Sequence, residues 1–323
     1  MHSQNIMIES KIQEEKIKPL LDRINVDREL KEQIEKRLDR VGMYFHIFGR
    51  VKSSYSLCQK LINKDEEYEK ENKKLQDLIG IRIVLYYADD VPICQKIIQS
   101  LFHVREEDSA IDKPRIDEFR PKRLNLVCDI PHGEEDYIQR IPEELWRDYR
   151  IDKTFEVQIR TIFSEGWHEV DHDLRYKHKK EWENLNYYEF NRKLNGIHAT
   201  LEVCDNTIVS VLDSLAYQCY KEDKIVEMFR YKLRIHMSNE IVNEGLQVLF
   251  ENNKDLLKKF FRVERGELLQ ILSDAIFASI PRTLNNIIYI CNALQIKDKV
   301  INEMTPSLIK SCFVQWNEQY SSL

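Results

Sequence analysis

The run Leu78-Ile79-Gly80-Ile81-Arg82-Ile83-Val84-Leu85-Tyr86-Tyr87 constrains the fold more than any other part of the chain. It is almost continuously apolar. Such a run reads as a central β-strand covered on both faces. Asp77 stands at its entrance and Arg82 inside it. An arginine in a buried strand is costly unless it is paired or turned toward an anionic ligand. Asp89-Asp90-Val91-Pro92 then caps a helix running to about His103, with Pro92 in its first turn.

Three further strands are expected to join it. Met43 to Val51 is aromatic and β-branched, Leu124 to Ile130 is stopped by Pro131, and Phe155 to Arg160 alternates apolar and polar residues. Helices are expected at residues 9–25 and from Asp27, whose Leu30, Ile34, Leu38 and Val41 fall at steps of four and three before Gly42. Another follows Ser54 through Leu57 and Leu61. The charged run 63–74 reads as a solvated loop or helix end. Residues 105–121 read as a polar loop, and residues 132–152 as a connection with one helical turn near Pro142. From about residue 182 the pattern is helical to the end. Ser238 is expected to cap a helix reaching Phe250, a second helix to run from Leu268 to Ile280, and a third to start at Arg282 after Pro281.

The class is therefore α+β with an all-helical C-terminal region, divided near residue 215 into domains of 1–215 and 216–323. Composition agrees: Gly and Pro number only 8 each, and 42% of residues are hydrophobic. A net charge of −6 gives no global basic field for DNA, although 49 Lys and Arg can still line a local cleft. The seven cysteines are widely spaced and contain no CxxC, so we expect reduced thiols in a cytoplasmic protein. No leader-like apolar region and no membrane span are expected.

Residues 154–177, TFEVQIRTIFSEGWHEVDHDLRYK, invite two readings. His168-Glu169-Val170-Asp171-His172 fits H-E-x-x-H, which on a helix sets two imidazoles on one face beside a carboxylate, as in a zinc protease. His178 has the offset of a third metal ligand. The longer motif needs a glycine where this chain has Arg175, so the turn that would bring His178 round is missing. The second reading is transfer between nucleotides. It uses the face that Glu156, Gln158 and Arg160 share by the two-residue period.

The second reading extends along the chain. Arg50-Val51-Lys52-Ser53 with Lys60, Asp77-Leu78-Ile79-Gly80-Ile81-Arg82, Glu156-Val157-Gln158-Ile159-Arg160-Thr161, and Trp167 and Glu169 with His172-Asp173-Leu174-Arg175-Tyr176-Lys177 occur in one order. In order and spacing they resemble the RelA/SpoT-type alarmone synthetases, of the small single-synthetase type, over about residues 25–180. The resemblance implies a nucleotidyltransferase-like mixed sheet flanked by helices. It also implies transfer of pyrophosphate from ATP to a ribose 3′-hydroxyl. Asp77 and Glu156 would be the catalytic carboxylates and the ligands of Mg²⁺, a hard cation suited to oxygen donors. Arg50, Lys52, Lys60, Arg82, Gln158, Arg160, His172, Arg175 and Lys177 would hold ATP and its phosphates, arginine bidentately. Each has an ordinary alternative: surface charge for Arg50 and Lys52, a cap for Asp77, a salt bridge between Glu156 and Arg160, and core packing for Trp167.

The acceptor side departs from the family. Most members carry a G-Y-x-S-x-H-like segment whose tyrosine stacks on guanine. Here Phe119-Arg120-Pro121-Lys122-Arg123-Leu124-Asn125 stands in its place. Phe119, Lys122, Arg123 and Asn125 are thus the acceptor-side candidates. The acceptor is then a guanosine nucleotide, or an adenosine nucleotide or tRNA 3′ end as in toxic members of the family. An inactive nucleotide-binding protein is a third reading. The C-terminal helices are expected to meet a protein partner or a second copy.

Overall fold

The computed structural model describes residues 2–71, 74–112, 124–131, 137–176, 178, 181–182 and 188–320. The chain packs as two compact units. The first comprises Met1–Glu35, His46–Val84 and Ile98–Arg160, and the second Lys36–Phe45, Leu85–Ile97 and Thr161–Leu323.

The first unit is built on a five-stranded sheet. Its strands are β1 (Phe45–Val51), β2 (Ile79–Leu85), β3 (Val104–Ile111), β4 (Leu124–Asp129) and β5 (Thr154–Thr161), in the order β1-β2-β5-β4-β3. The apolar run supplies β2, set between β1 and β5, with Ile79, Ile81, Ile83, Val84 and Leu85 all buried; Gly80 and Arg82 are half-exposed, so the strand is not covered on both faces as expected. A parallel bridge between Leu75 and Ile151 leads into β2 and β5. β4 is antiparallel to both β3 and β5, so the sheet is mixed. Helices α1 (His2–Leu21), α3 (Ser54–Glu71) and α5 (Glu143–Asp148) belong to this unit, whereas α2 (Val26–Val41) and α4 (Val91–Leu101) have residues in both units. Phe155 of β5 is fully buried and meets Phe102 edge-on at 5.0 Å.

One expectation changes here. Residues 104–111 form β3 instead of a loop. They pair with β4 across a register shift between Arg105 and Ala110, and the polar run Arg105-Glu106-Glu107-Asp108 is tolerated because β3 is an edge strand. Of the two readings of the charged run 63–74, a solvated loop or a helix end, the second holds: α3 continues to Glu71.

The second unit is helical in its described residues after Thr161, apart from one isolated bridge between Asn239 and Thr283. It contains α6 (Ile162–Asp171), a π-turn at His172–Tyr176, and α7 (Tyr188–Lys221). Shorter helices follow from Ile225 to Tyr320. Phe229, Phe250 and Phe260 form its aromatic centre, with ring centroids 5.1–6.1 Å apart. The guanidinium of Arg265 donates to the buried carboxylate of Asp90 and to the carbonyl of Leu233. Ser238 caps no helix: its amide donates to the Arg282 carbonyl, and Asn243 accepts from the Leu246 amide to start Glu244–Asn252. Asn243 stands next to the helical residues, where its carboxamide reaches the N3 amide. The later helices are Arg265–Ser273 and Leu284–Cys291, the latter capped by Thr283. No described helix is long and apolar enough to cross a membrane. All seven cysteines are free thiols, and only Cys204 is not buried.

Candidate functional site

The site begins with the alternation of β5. Phe155, Val157 and Ile159 enter the core, so Glu156, Gln158 and Arg160 face the other way and are half-exposed. On β4 the register sets Asn125 opposite Gln158 and Val127 opposite Glu156. Cross-strand partners share a face. Asn125 therefore reaches Glu156, and its Nδ2 donates to Oε1 at 2.9 Å.

Gln158 holds the other oxygen. Its Nε2 donates to Glu156 Oε2 at 2.7 Å. Its Oε1 accepts from Arg82 Nε at 3.3 Å and from an Arg160 guanidinium nitrogen at 3.4 Å. The two arginines thereby fix which end of the amide faces the carboxylate. Glu156 is gripped on both oxygens by neutral donors. It is held in place, and no salt bridge with Arg160 is needed to hold it.

Asp77 lies just before β2. Lys52 and Lys60 both reach its Oδ2, at 2.7 and 2.8 Å. Its Oδ1 is buried and has no hydrogen-bond partner. Burial pushes the Asp77 carboxyl upward, but the ammonium groups of Lys52 and Lys60 outweigh it and leave the group below the ordinary carboxylate range. Asp77 is therefore an anion with one oxygen unpartnered. A buried unpartnered carboxylate oxygen is an expensive feature that a cation would satisfy.

Asp77 and Glu156 line one cleft of about 290 Å³ with Phe48, Arg50, Lys52, Gly80, Arg82 and Gln158. Among the described residues no group of three or more His, Cys, Asp or Glu could hold a metal. Two carboxylates alone suit a magnesium ion that takes its remaining ligands from water and substrate phosphates. Phe48 went unread in the sequence. Its side chain is 58% exposed. The signal was available: with Ile47 buried, period two along Phe45–Val51 puts Phe48 on the face of Arg50.

The other candidates divide. His172 and Arg175 belong to the second unit. His172 Nδ1 lies 3.0 Å from Asp173, and the His168 and His172 rings stack at 5.4 Å. Arg175 pairs with Asp171 at 2.5 Å and donates to Asn195 at 3.3 Å. The helix carrying H-E-x-x-H gives way to the π-turn at His172. Trp167 is buried against His198, as core packing predicts. Phe119, Lys122, Arg123 and Lys177 lie outside the described residues.

Residues 49–181 match the family model described as the region found in RelA/SpoT proteins. This segment contains every residue of the cleft except Phe48. The chain carries a RelA/SpoT domain. Curated relatives include two named GTP pyrophosphokinases from Bacillus subtilis strain 168. YjbM is 23% identical over 145 residues, covering 41% of this chain and 56% of the relative. YwaC is 26% identical over 137 residues, covering 41% of this chain and 58% of the relative. The chain thus spans little more than half the length of these relatives. Among solved structures, small alarmone synthetase 1 from Bacillus subtilis bound to its product pppGpp aligns at 20% identity. That alignment covers 62% of this chain and 96% of the other, with a TM-score of 0.44.

Proposed function

We propose that the RelA/SpoT domain is an ATP-dependent pyrophosphokinase that modifies the ribose 3′-hydroxyl of a guanosine nucleotide. The observation that carries this reading is the cleft itself. Glu156 is fixed on both oxygens, Asp77 keeps one oxygen unpartnered, and Arg50, Lys52 and Arg82 line the same space. The names of the two curated relatives support it.

The chemistry follows from these parts. The acceptor O3′ attacks the β-phosphorus of ATP. The O3′–P bond forms, the bond from the α,β-bridging oxygen to the β-phosphorus breaks, and AMP leaves with that oxygen. Glu156 accepts the proton of the acceptor hydroxyl, and Asn125 and Gln158 keep its carboxylate aimed. Arg82, Arg50 and the lysines beside Asp77 offset the charge on the triphosphate, a positioning and electrostatic task. Asp77 and Glu156 would hold Mg²⁺, which supplies charge neutralisation of the phosphates when bound. Phe48, exposed on the cleft wall, offers the donor base an aromatic surface.

The acceptor is tested with a panel. The full chain is incubated with Mg²⁺ and γ-labelled ATP, with GDP, GTP, ADP, unlabelled ATP and bulk tRNA offered separately and Glu156→Gln as control. Label is expected in GDP or GTP and absent with the variant. Label in ADP, ATP or tRNA instead would move the acceptor. Transfer to none of them, or equal transfer by the variant, would remove the enzymatic reading.

A further inference from the structure

The second unit holds a cavity of its own, about 320 Å³ against about 290 Å³ for the cleft. It shares no residue with the cleft. Its volume stands at the small end of ligand sites. Three stretches line it: the π-turn Asn292–Ile296, the loop that leads into the helix Lys299–Met304, and the last helix, Ser307–Tyr320.

The charge of the lining is one-sided. Lys297 and Lys299 line the cavity and no carboxylate does. In a chain with 55 acidic residues against 49 Lys and Arg this is a local reversal. Other cations of the same unit are neutralised: Lys224 by Glu222, Arg230 by Glu240 and Lys254 by Asp223. Among the described residues neither Lys297 nor Lys299 has an ion-pair partner, and the Lys297 ammonium donates to the Ala293 carbonyl. Asp298 stands between the two lysines, but its carboxylate accepts from the amides of Val300 and Ile301 and caps their helix.

The loop is held where it is. Lys297 lies in the left-handed region, at φ 60° and ψ 31°. That region favours glycine, and other residues held there cluster at ligand sites. Asn292, 1% exposed, fixes it. Its carbonyl accepts from the Lys297 amide at 2.8 Å, and its side chain exchanges two bonds with the backbone of Asp298, at 2.8 and 3.1 Å. Facing this loop across the lining are two half-buried rings. Phe313 is braced by Phe277 at 5.1 Å, and Trp316 by Tyr320 at 5.2 Å. Asn302 and Asn317 add exposed carboxamides, each with donors and an acceptor.

We propose that this cavity binds a nucleoside monophosphate, its base against Trp316 and its phosphate at Lys297 and Lys299. A base offers a flat face to an aromatic ring and a polar edge to carboxamides. A phosphate monoester carries about −1.5 to −2 charges at pH 7, which two ammonium groups offset. The proposal is independent of the pyrophosphokinase reading.

Titration calorimetry on the full chain tests it, with AMP and GMP as separate probes and no ATP present. At least one of them is expected to bind with a Kd of about 10–500 µM. Adenosine, guanosine and inorganic phosphate are expected to bind at least tenfold more weakly. The double variant Lys297→Gln/Lys299→Gln, both at exposed positions, is expected to weaken binding at least tenfold with the melting temperature and the transfer activity unchanged. Any binding in the cleft persists in that variant, so it isolates the second site. Trp316→Phe keeps a ring and is expected to hold affinity within about fivefold, while the quenching of tryptophan fluorescence by the bound nucleotide is lost. Failure of both nucleotides to bind at 1 mM overturns the proposal. So does a folded double variant that binds as the wild type does, or adenosine binding as tightly as AMP.

Discussion

Gln158 offers a direct test of how the site is held. It contacts Glu156 at 2.7 Å on one side and Arg82 at 3.3 Å on the other. Gln158→Leu keeps the approximate size but removes both bonds. Glu156 then loses one of its two donors, and the arginines lose the neutral acceptor that separates them from the carboxylate. A hydrogen bond to a charged group is worth about 1.5–3 kcal/mol. At about 1.4 kcal/mol per tenfold, and if the bond matters most as the acceptor hydroxyl loses its proton, kcat falls roughly 10- to 150-fold. The Michaelis constant for ATP changes little, because Arg50 and the lysines are untouched. Gln158 is half-exposed, so the melting temperature is expected to move by no more than a few degrees. The assay is steady-state AMP release at saturating ATP and acceptor. Gln158→Glu is a harder version: Glu156 loses the amide donor and gains a like-charged neighbour in its place, so kcat is expected to fall at least as far as in Gln158→Leu. A Gln158→Leu enzyme with kcat within threefold of wild type would refute the positioning argument.

Other perturbations follow from the same contacts. Asp77→Asn is expected to abolish transfer, with a loss of at least 100-fold in AMP release. It also costs stability near neutral pH by leaving Lys52 and Lys60 facing each other. Because the folded carboxyl titrates below its unfolded value of about 3.9, its stabilising contribution is present above that pH and is lost as pH falls through the lower folded value. The gap between wild type and variant in chemical denaturation should therefore close in acid. Phe48→Ala is expected to raise the Michaelis constant for ATP several-fold with kcat nearly unchanged, read from ATP titrations. Arg265→Met strands the buried Asp90 carboxylate, a loss of about 3–5 kcal/mol, which calorimetry should read as a fall in melting temperature of roughly 6–20 °C.

The sequence exposed the parts governed by strong periodicity. The apolar run Leu78–Tyr87 read as a strand and became β2 (Ile79–Leu85), but only one of its faces is covered along its whole length: Gly80 and Arg82 on the other line the cleft. The alternation around Glu156 fixes which way that side chain faces, and the burial of Phe155, Val157 and Ile159 agrees. What was hidden depended on partners far along the chain. Arg105 to Asp108 carry no apolar alternation, so β3 is visible only once β4 is beside it. Ser238 and Asn243 are equally good caps in the sequence, and the choice is made by Asn285, whose side chain accepts from the Asn243 amide. Within the site, Lys52 and Lys60 read as phosphate ligands. Both converge on Asp77 from different places, Lys60 from α3 and Lys52 from just after β1, where its amide donates to the Leu78 carbonyl, and no local pattern announces this. Asn125 was tied to the acceptor by its place in the chain, and its bond to Glu156 appears only with the β4–β5 register.

The account's central claim is transfer of an intact pyrophosphate. Its most direct test is the nucleotide co-product formed with GTP or GDP under single-turnover conditions, separated by ion exchange. The account predicts AMP in one-to-one stoichiometry with a guanosine product that has gained two phosphates at its 3′ position, both lost in Glu156→Gln. ADP in place of AMP, or AMP formed with no modified guanosine nucleotide, would contradict it.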